Sequence, residues 1–373
     1  MRDIAAIEVS VLVDELRDTF ATAYYKNFYE LEENRFLLTI SKERKEHAIN
    51  IRLLKTINET EYKETAERAS EFALTVRKKL DGCRVESIEQ HAADRIVIIS
   101  FSGKNELRLI LEMLDKGNLL LVNKEGVIEV VYTSRSYRDR NIRRGAVYVF
   151  PKSEALKLKE IGQEDAAAIS EKLKCSEQKL IVAISKHVNA GPLYLENAIN
   201  NAGLDANKPA SAQELGGDEV AHMINELQES LRKPEPRIYI REGEPLDFAI
   251  TAIAKYESNT ELKTETFESL NKLLDALYLK ERSTSIDTGK VREIEELNAS
   301  IGKLHAQIDE LKVKGVECKS IGNKIFERMD EINRMLEQLR KIKAKDDEVG
   351  KKFGNIRIKG VNQKRKAVSV EIE

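Results

Sequence analysis

Apolar positions recur at helical spacing from the start of the chain: Ile7, Val11, Leu12, Leu16 and Phe20 share one side of a helix predicted over residues 6–20. Short apolar or alternating runs at 35–40 and 47–53 read as strands, and a second helix is expected over 60–80, with Phe72, Leu74 and Val76 in it. Five more strands are expected at 95–101, 107–113, 118–122, 127–132 and 146–150, separated by Gly103, Gly117, Gly126 and Gly145. Short strands with this glycine punctuation predict an α+β arrangement, a mostly antiparallel sandwich or barrel flanked by helices.

After Pro151 the pattern turns helical over 156–174, and a compact helix, hairpin and helix follow over 176–202. A connector with Pro234 and Pro236 leads to a strand at 238–240 and then to short elements ending in a helix by 279. That piece is too small to stand alone and is expected to pack back on an earlier domain. From Lys290, the positions Ile294, Leu297, Ile301, Leu304, Ile308 and Leu311 alternate spacings of three and four, the seam of a coiled coil. Gly315 interrupts the seam, and Ile321, Ile325, Met329, Ile332, Leu336 and Leu339 resume it. An antiparallel helical hairpin is the simplest object with this pattern; the other reading is an ordinary two-helix core element. Beyond Ala344 two strand-like alternations, 355–359 and 367–372, accompany a basic run of Lys351, Lys352, Arg357, Lys359, Lys364, Arg365 and Lys366. Two strands do not fold alone, so the chain is expected to be an N-terminal piece of something longer.

Charged residues make up 34% of the 373 positions but cancel to a net charge of -2. Bulk electrostatics therefore does not predict a polyanionic partner, and only local asymmetry argues for one. Cys83, Cys175 and Cys318 lie far apart, without a CxxC pair or a histidine at zinc-ligand spacing, so neither a disulfide scaffold nor a metal is expected. The N-terminus lacks the apolar stretch of a signal peptide and no run is long enough to span a bilayer. A cytoplasmic protein without a membrane partner is expected. The sequence shows no phosphate-binding GxxxxGK loop, no GxGxxG, no HExxH and no GxSxG, and the five histidines are scattered. No enzymatic activity and no cofactor are expected.

Two stretches are suited to RNA. In the hairpin, Asn189-Ala190-Gly191-Pro192 joins two short helices: a glycine there lets backbone approach a phosphate, and the second helix points free N–H groups at the anion. Asn189 and Gly191 are the expected phosphate contacts, although a plain helical connector has the same pattern. In the second stretch Arg135, Arg138, Arg140, Arg143 and Arg144 interleave with Tyr132, Tyr137 and Tyr148 against one acid, Asp139. One sign of charge plus rings for stacking fits a loop-RNA contact; the bland alternative is a solvated loop whose arginines pair within the protein. Asp94-Arg95 leads a strand and, taken alone, reads as a rim salt bridge.

In order along the chain, AAIEVSVLVDEL, ADRIVIISF, LEMLDKGNLLLVN, RRGAVYVFP, GPLYLENAINNAGLD and PLDFAITAIAKYE, followed by the coiled-coil arms, resemble the NFACT family of ribosome quality-control proteins. The resemblance implies an N-terminal domain related in fold to formamidopyrimidine-DNA glycosylases, over 1–172 and 233–288. It also implies a helix-hairpin-helix module inserted at 173–232, a coiled-coil hairpin at 289–345, and a tail at 346–373 leading to a C-terminal RNA-binding domain. It implies binding to a large ribosomal subunit (rRNA) that still holds peptidyl-tRNA. Charged tRNA, with tRNA-Ala foremost, would be recruited there for untemplated tailing, and the coiled coil would allow self-association. Arg2 stands where the glycosylases carry a proline nucleophile, and their zinc ligands are missing, so base excision is not expected. The family's acidic residue in the first helix and its Asp-Arg pair map to Glu8, Asp94 and Arg95, which makes these three the expected tRNA-binding residues; many members have Asp where this chain has Glu8. A fibronectin-binding-like adhesion role is the alternative.

Overall fold

The first helix, α1 (Ala6–Phe20), forms where the apolar spacing places it and buries Ile7, Leu12, Leu16 and Phe20. The computed structural model describes residues 2–66, 68–341, 348–362 and 367–372; the side chains of 283–296 and 298 lie outside that description. The chain divides into two compact units, Met1–Arg282 and Ser283–Glu373.

The first unit is built on a nine-stranded antiparallel sheet in the order β4-β3-β2-β1-β5-β6-β7-β8-β9. Its first half is β1 (Tyr24–Glu32), β2 (Arg35–Lys42), β3 (Lys45–Arg52) and β4 (Thr56–Thr60). Its second half is β5 (Cys83–Gln90), β6 (Ile96–Gly103), β7 (Leu107–Glu112), β8 (Asn118–Asn123) and β9 (Ile128–Val131). Between the halves lies α2 (Glu71–Leu80), whose start is fixed by the Ser70 hydroxyl accepting the Ala73 N–H at 3.1 Å. The helix expected over 60–80 is therefore half that length. Residue 60 is instead the last of β4, paired with β3, and the described residues among 61–70 are not helical. The strand expected at 146–150 is absent from the sheet and contributes one bridge, Val127 to Val147. That segment and the small hairpin of β10 (Arg135–Ser136) and β11 (Asn141–Ile142) cover the outer face of the second half through Ile96, Ile110, Leu120, Ile142 and Tyr148.

α3 (Gln163–Lys174), α4 (Leu180–Ser185), α5 (Pro192–Asn201) and α6 (Gly217–Arg232) follow. Their buried Ile169, Leu180, Leu195, Ile199 and Leu227 join the same core as α1. A three-stranded sheet, β13-β12-β14, comprises β12 (Arg237–Arg241), β13 (Glu244–Ala249) and β14 (Lys263–Thr266), with α7 (Ala254–Glu257) between the last two. Phe248 and Ile250 of this piece enter the main core, as do Leu270, Leu273 and Leu274 from the first turns of α8 (Leu270–Glu327). The segment too small to fold alone does pack back.

In the second unit α8 runs without a break through Gly315, and the chain leaves helical geometry only at Arg328 before α9 (Met329–Lys341). The break expected at Gly315 is not formed. A glycine inside a helix costs about 1 kcal/mol relative to alanine but does not reverse the chain. Only the end of the would-be second arm's stripe is covered: Ile332, Leu336 and Leu339 of α9, with Met335, join the cluster of Ile356 and Ile358, whereas Ile321, Ile325 and Met329 are exposed. Ile356 and Ile358 lie in the antiparallel sheet of β15 (Lys352–Phe353), β16 (Ile356–Asn362) and β17 (Ala367–Ile372). Leu297, Ile301, Leu304, Ile308 and Leu311 of the seam are exposed; Ile294 lies outside the described side chains, and so do Lys364, Arg365 and Lys366 of the basic run. No described helix is long and apolar enough to cross a membrane.

Candidate functional site

Three stretches remote in sequence, 2–8, 90–95 and 189–194, meet at the turn between β5 and β6. The turn places Ala92 at a φ of +49°, a left-handed conformation that residues with a Cβ adopt only when their surroundings enforce it. Within the turn the Asp94 N–H donates to the His91 carbonyl at 3.1 Å. The Gln90 side-chain amide donates to the carbonyls of Ala6 and Asp94, both at 2.9 Å, and the Asn189 amide donates to the Ala93 carbonyl at 2.9 Å. Arg95, half-buried, is tied by one guanidinium nitrogen to the Ile4 carbonyl at 3.2 Å.

Asp94 and Arg95 do not form the rim salt bridge that their adjacency suggests, because Arg95 is turned toward the N-terminal stretch. Asp94 is 7% exposed, and its Oδ2 has no hydrogen-bond partner. That oxygen is itself enclosed, so it offers a ligand no open acceptor, and its lack of a partner is a cost that the surrounding contacts must offset.

Glu8 lies one turn inside α1 and is fully buried. Its carboxylate accepts the Ala5 N–H at 2.7 Å, both terminal nitrogens of Arg2, and the Tyr194 hydroxyl at 2.5 Å. The expectation that Glu8 touches tRNA is corrected: it has no surface to offer and acts behind the surface, as the partner of Arg2. Arg2 also donates to Asp247 and to the Phe248 carbonyl, each at 2.8 Å, with its guanidinium 4.2 Å above the Phe248 ring. Burial alone lowers the pKa of Arg2, but Glu8 and Asp247 outweigh it and hold the guanidinium charged. Burial, reinforced by Glu8, pushes the Tyr194 hydroxyl far up, so it remains a donor to Glu8 while accepting the Ile250 N–H.

The hairpin also differs from its expected use. Asn189 spends its donor inside the protein. Gly191, with a φ of +96°, leaves no room for a side chain, since a Cβ there would stand 2.7 Å from that of Ala5. The glycine is required by the contact between α1 and α5, and no phosphate is needed to explain it. Arg2, Arg95, Asn189, Gly191, Glu196 and Lys255 line a cleft of 490 Å³ at this contact.

The basic loop divides in two. Arg140 is half-buried, its side chain 8% exposed and bonded to Glu112, which also accepts the Tyr148 hydroxyl at 2.6 Å; its expected RNA contact is corrected to a structural pair. Arg135 is half-buried and 4.0 Å from Asp115. Arg138, Arg143 and Arg144 are exposed. The end of the same segment reaches the β5–β6 turn, where Phe150 stacks on His91 with ring centres 3.6 Å apart. Among the described residues no cluster of histidine, cysteine and acidic side chains is suited to a metal ion.

Sequence reasoning singled out Asp94, Arg95, Asn189 and Gly191, and the structure brings them together. It passed over Gln90 and Tyr194, and took Arg2 only as a missing proline. The usual signal for a capped helix start, a hydroxyl residue followed three positions later by Glu, is hidden here because Ala5 occupies the cap position.

Residues 6–353 match the family model described as NFACT N-terminal and middle domains. An archaeal Rqc2 homolog, aRqcH, from Methanocaldococcus jannaschii is 24% identical over 92% of this chain and 53% of its own length. The human ribosome quality control complex subunit NEMF is 28% identical over 33% of this chain and 12% of its own. The chain thus spans about half the length of the archaeal relative. A fibrinogen binding protein from Staphylococcus aureus has the same fold over 74% of this chain and 98% of its own, with a TM-score of 0.59 at 19% identity.

Proposed function

Since the chain belongs to the NFACT family, whose N-terminal and middle domains it carries, we propose that it serves ribosome quality control as a non-catalytic RNA binder in the cytoplasm. It binds a large ribosomal subunit obstructed by peptidyl-tRNA. There it recruits charged tRNA, alanyl-tRNA foremost, for untemplated extension of the stalled chain. The names of the relatives support the pathway. The observation that supports the site is Arg95, half-buried where it lines the cleft. It keeps guanidinium N–H groups beyond its single bond to Ile4, whereas the unpartnered oxygen of Asp94 is enclosed behind it. A forked donor lining a cleft is suited to a phosphate or a base edge. Arg138, Arg143 and Arg144 add exposed positive charge on the segment whose Phe150 stacks against the turn.

The test is direct binding of aminoacylated tRNA. Arg95→Ala should weaken it by about tenfold or more, the effect of losing a charge-assisted hydrogen bond, while cosedimentation with large subunits persists. Undiminished tRNA binding by Arg95→Ala removes this site from the proposal. The adhesion reading rests on a fold likeness at 19% identity, which carries the fold alone.

A further inference from the structure

We propose that Gln90 and Asn189 are positioning residues that hold the Asp94–Arg95 turn in register with the starts of α1 and α5, an inference that rests on the tRNA-binding reading above. The turn does not hold itself. Ala92 is in the left-handed region, and the Asp94 carboxylate is buried with one oxygen unpartnered. Both features cost free energy and persist only where neighbouring groups over-determine the conformation.

Two carboxamides supply that constraint, and both act on backbone. The Gln90 NH₂ uses its two hydrogens on two segments, the Ala6 carbonyl in α1 and the Asp94 carbonyl in the turn. The Asn189 NH₂, from the hairpin before α5, bonds the carbonyl of Ala93, the residue between the strained alanine and Asp94. A carbonyl only accepts, so the NH₂ of each side chain must face these oxygens, and the orientation of both amides follows. The two bonds on Ala93 and Asp94 grip adjacent peptide units from opposite partners. Gly191 then brings α5 against Ala5, and Ala5 is followed by the Ala6 carbonyl that Gln90 holds. The loop of contacts closes: α1 to Gln90, Gln90 to the turn, the turn to Asn189, and the hairpin back to α1.

Arg95 extends from this closed loop and takes its bearing from Ile4, one residue before the cap of α1. Its direction is therefore set by three segments together, and a change in any one displaces the guanidinium relative to Asp94. The hairpin contributes to tRNA recognition by placing Arg95, with the Asn189 donor directed inward.

The experiment uses the whole chain with Gln90→Met and Asn189→Ala, neutral changes that delete the donors without adding charge, each also combined with Arg95→Ala. Affinity for bulk aminoacylated tRNA is read by filter binding. Amide hydrogen exchange is read at 92–96, with β7 and β8 as an internal reference for the intact fold. Each single variant should bind about tenfold more weakly, exchange faster at 92–96 and leave β7 and β8 unchanged. In the Arg95→Ala background the same substitutions should cost no further affinity, because their effect passes through Arg95. Unchanged exchange at 92–96 overturns the positioning role whatever the binding. An equal loss of affinity with and without Arg95 overturns it too, since that is what general destabilisation produces. If Arg95→Ala alone leaves tRNA binding intact, the functional reading fails, and the exchange data still decide whether the two amides hold the turn.

Discussion

Glu15 and Leu270 are 255 residues apart in sequence, and one carboxylate oxygen of Glu15 accepts the Leu270 N–H at 2.9 Å. The other oxygen accepts the Asn271 N–H at 2.9 Å and the Asn271 side-chain amide at 2.6 Å. The first turn of α8 thus receives from α1 the anionic cap that helix starts favour. Glu8 stands about two helical turns earlier on the same face of α1, where it caps α1 itself. One helix therefore carries the caps of two.

Glu15→Gln keeps the shape and removes the charge, and it should lower the unfolding free energy by about 1–2 kcal/mol. Urea unfolding checks this; a change of no more than a few tenths would mean that water replaces the cap.

The arginines of the basic loop should separate by measurement. Arg140→Ala leaves Glu112 buried with only Tyr148 as partner and should destabilise by about 3–5 kcal/mol. Replacing Arg138, Arg143 and Arg144 together should leave thermal stability nearly unchanged. It should instead flatten the dependence of log affinity for RNA on log salt, by about 0.7–0.9 for each phosphate no longer neutralised. An unchanged slope would assign these side chains to solvent.

Burial holds the His91 imidazole below its ordinary value, against the upward pull of Asp94. The unfolded chain then takes up protons at higher pH than the folded one. Stability from this group is present above about pH 6.5 and is lost as the pH falls below it. His187 shifts in the same direction, also through burial. His91→Phe, which retains a ring to stack on Phe150, should make the stability curve shallower below about pH 6.5. A curve parallel to that of the native chain would exclude His91 as a contributor.

Gly315→Ala distinguishes a continuous helix from a hairpin. A Cβ at this position meets nothing within 4 Å, so alanine should raise helix stability by up to about 1 kcal/mol, read as increased helical signal on heating. A loss of helix would instead indicate a turn at this glycine.

α1 was legible to the residue because apolar side chains are buried along its whole length. β1 and β5 were not, since sequences such as YYKNFYELE and CRVESIEQ are rich in charge and their apolar positions alternate only in part. The seam beyond Lys290 is a true helical signal, but periodicity describes one face of a helix and is silent on what covers it. A lone glycine such as Gly315, with no proline or second glycine beside it, is too weak a breaker to turn a chain that is helical on both sides. At the site, residue types pointed to Asp94, Arg95, Asn189 and Gly191, whereas the pairing of Arg2 with Glu8 and of Gln90 with two carbonyls depends on tertiary contacts that no local pattern encodes. Arg140 shows the limit from the other side. Its surroundings in sequence are those of an RNA contact, and only its position beside Glu112 makes it structural.

The exposed stripe of α8 has a calorimetric consequence. From Ile301 to Phe326 its large apolar side chains are exposed in the folded chain, so unfolding this stretch transfers little new hydrocarbon to water and adds little to the heat-capacity change. Only local hydrogen bonds hold it, and its melting should follow helix–coil statistics, gradual and weakly cooperative. Scanning calorimetry should record a sharp transition from Met1–Arg282 riding on a broad endotherm, with a van't Hoff enthalpy that falls short of the calorimetric one.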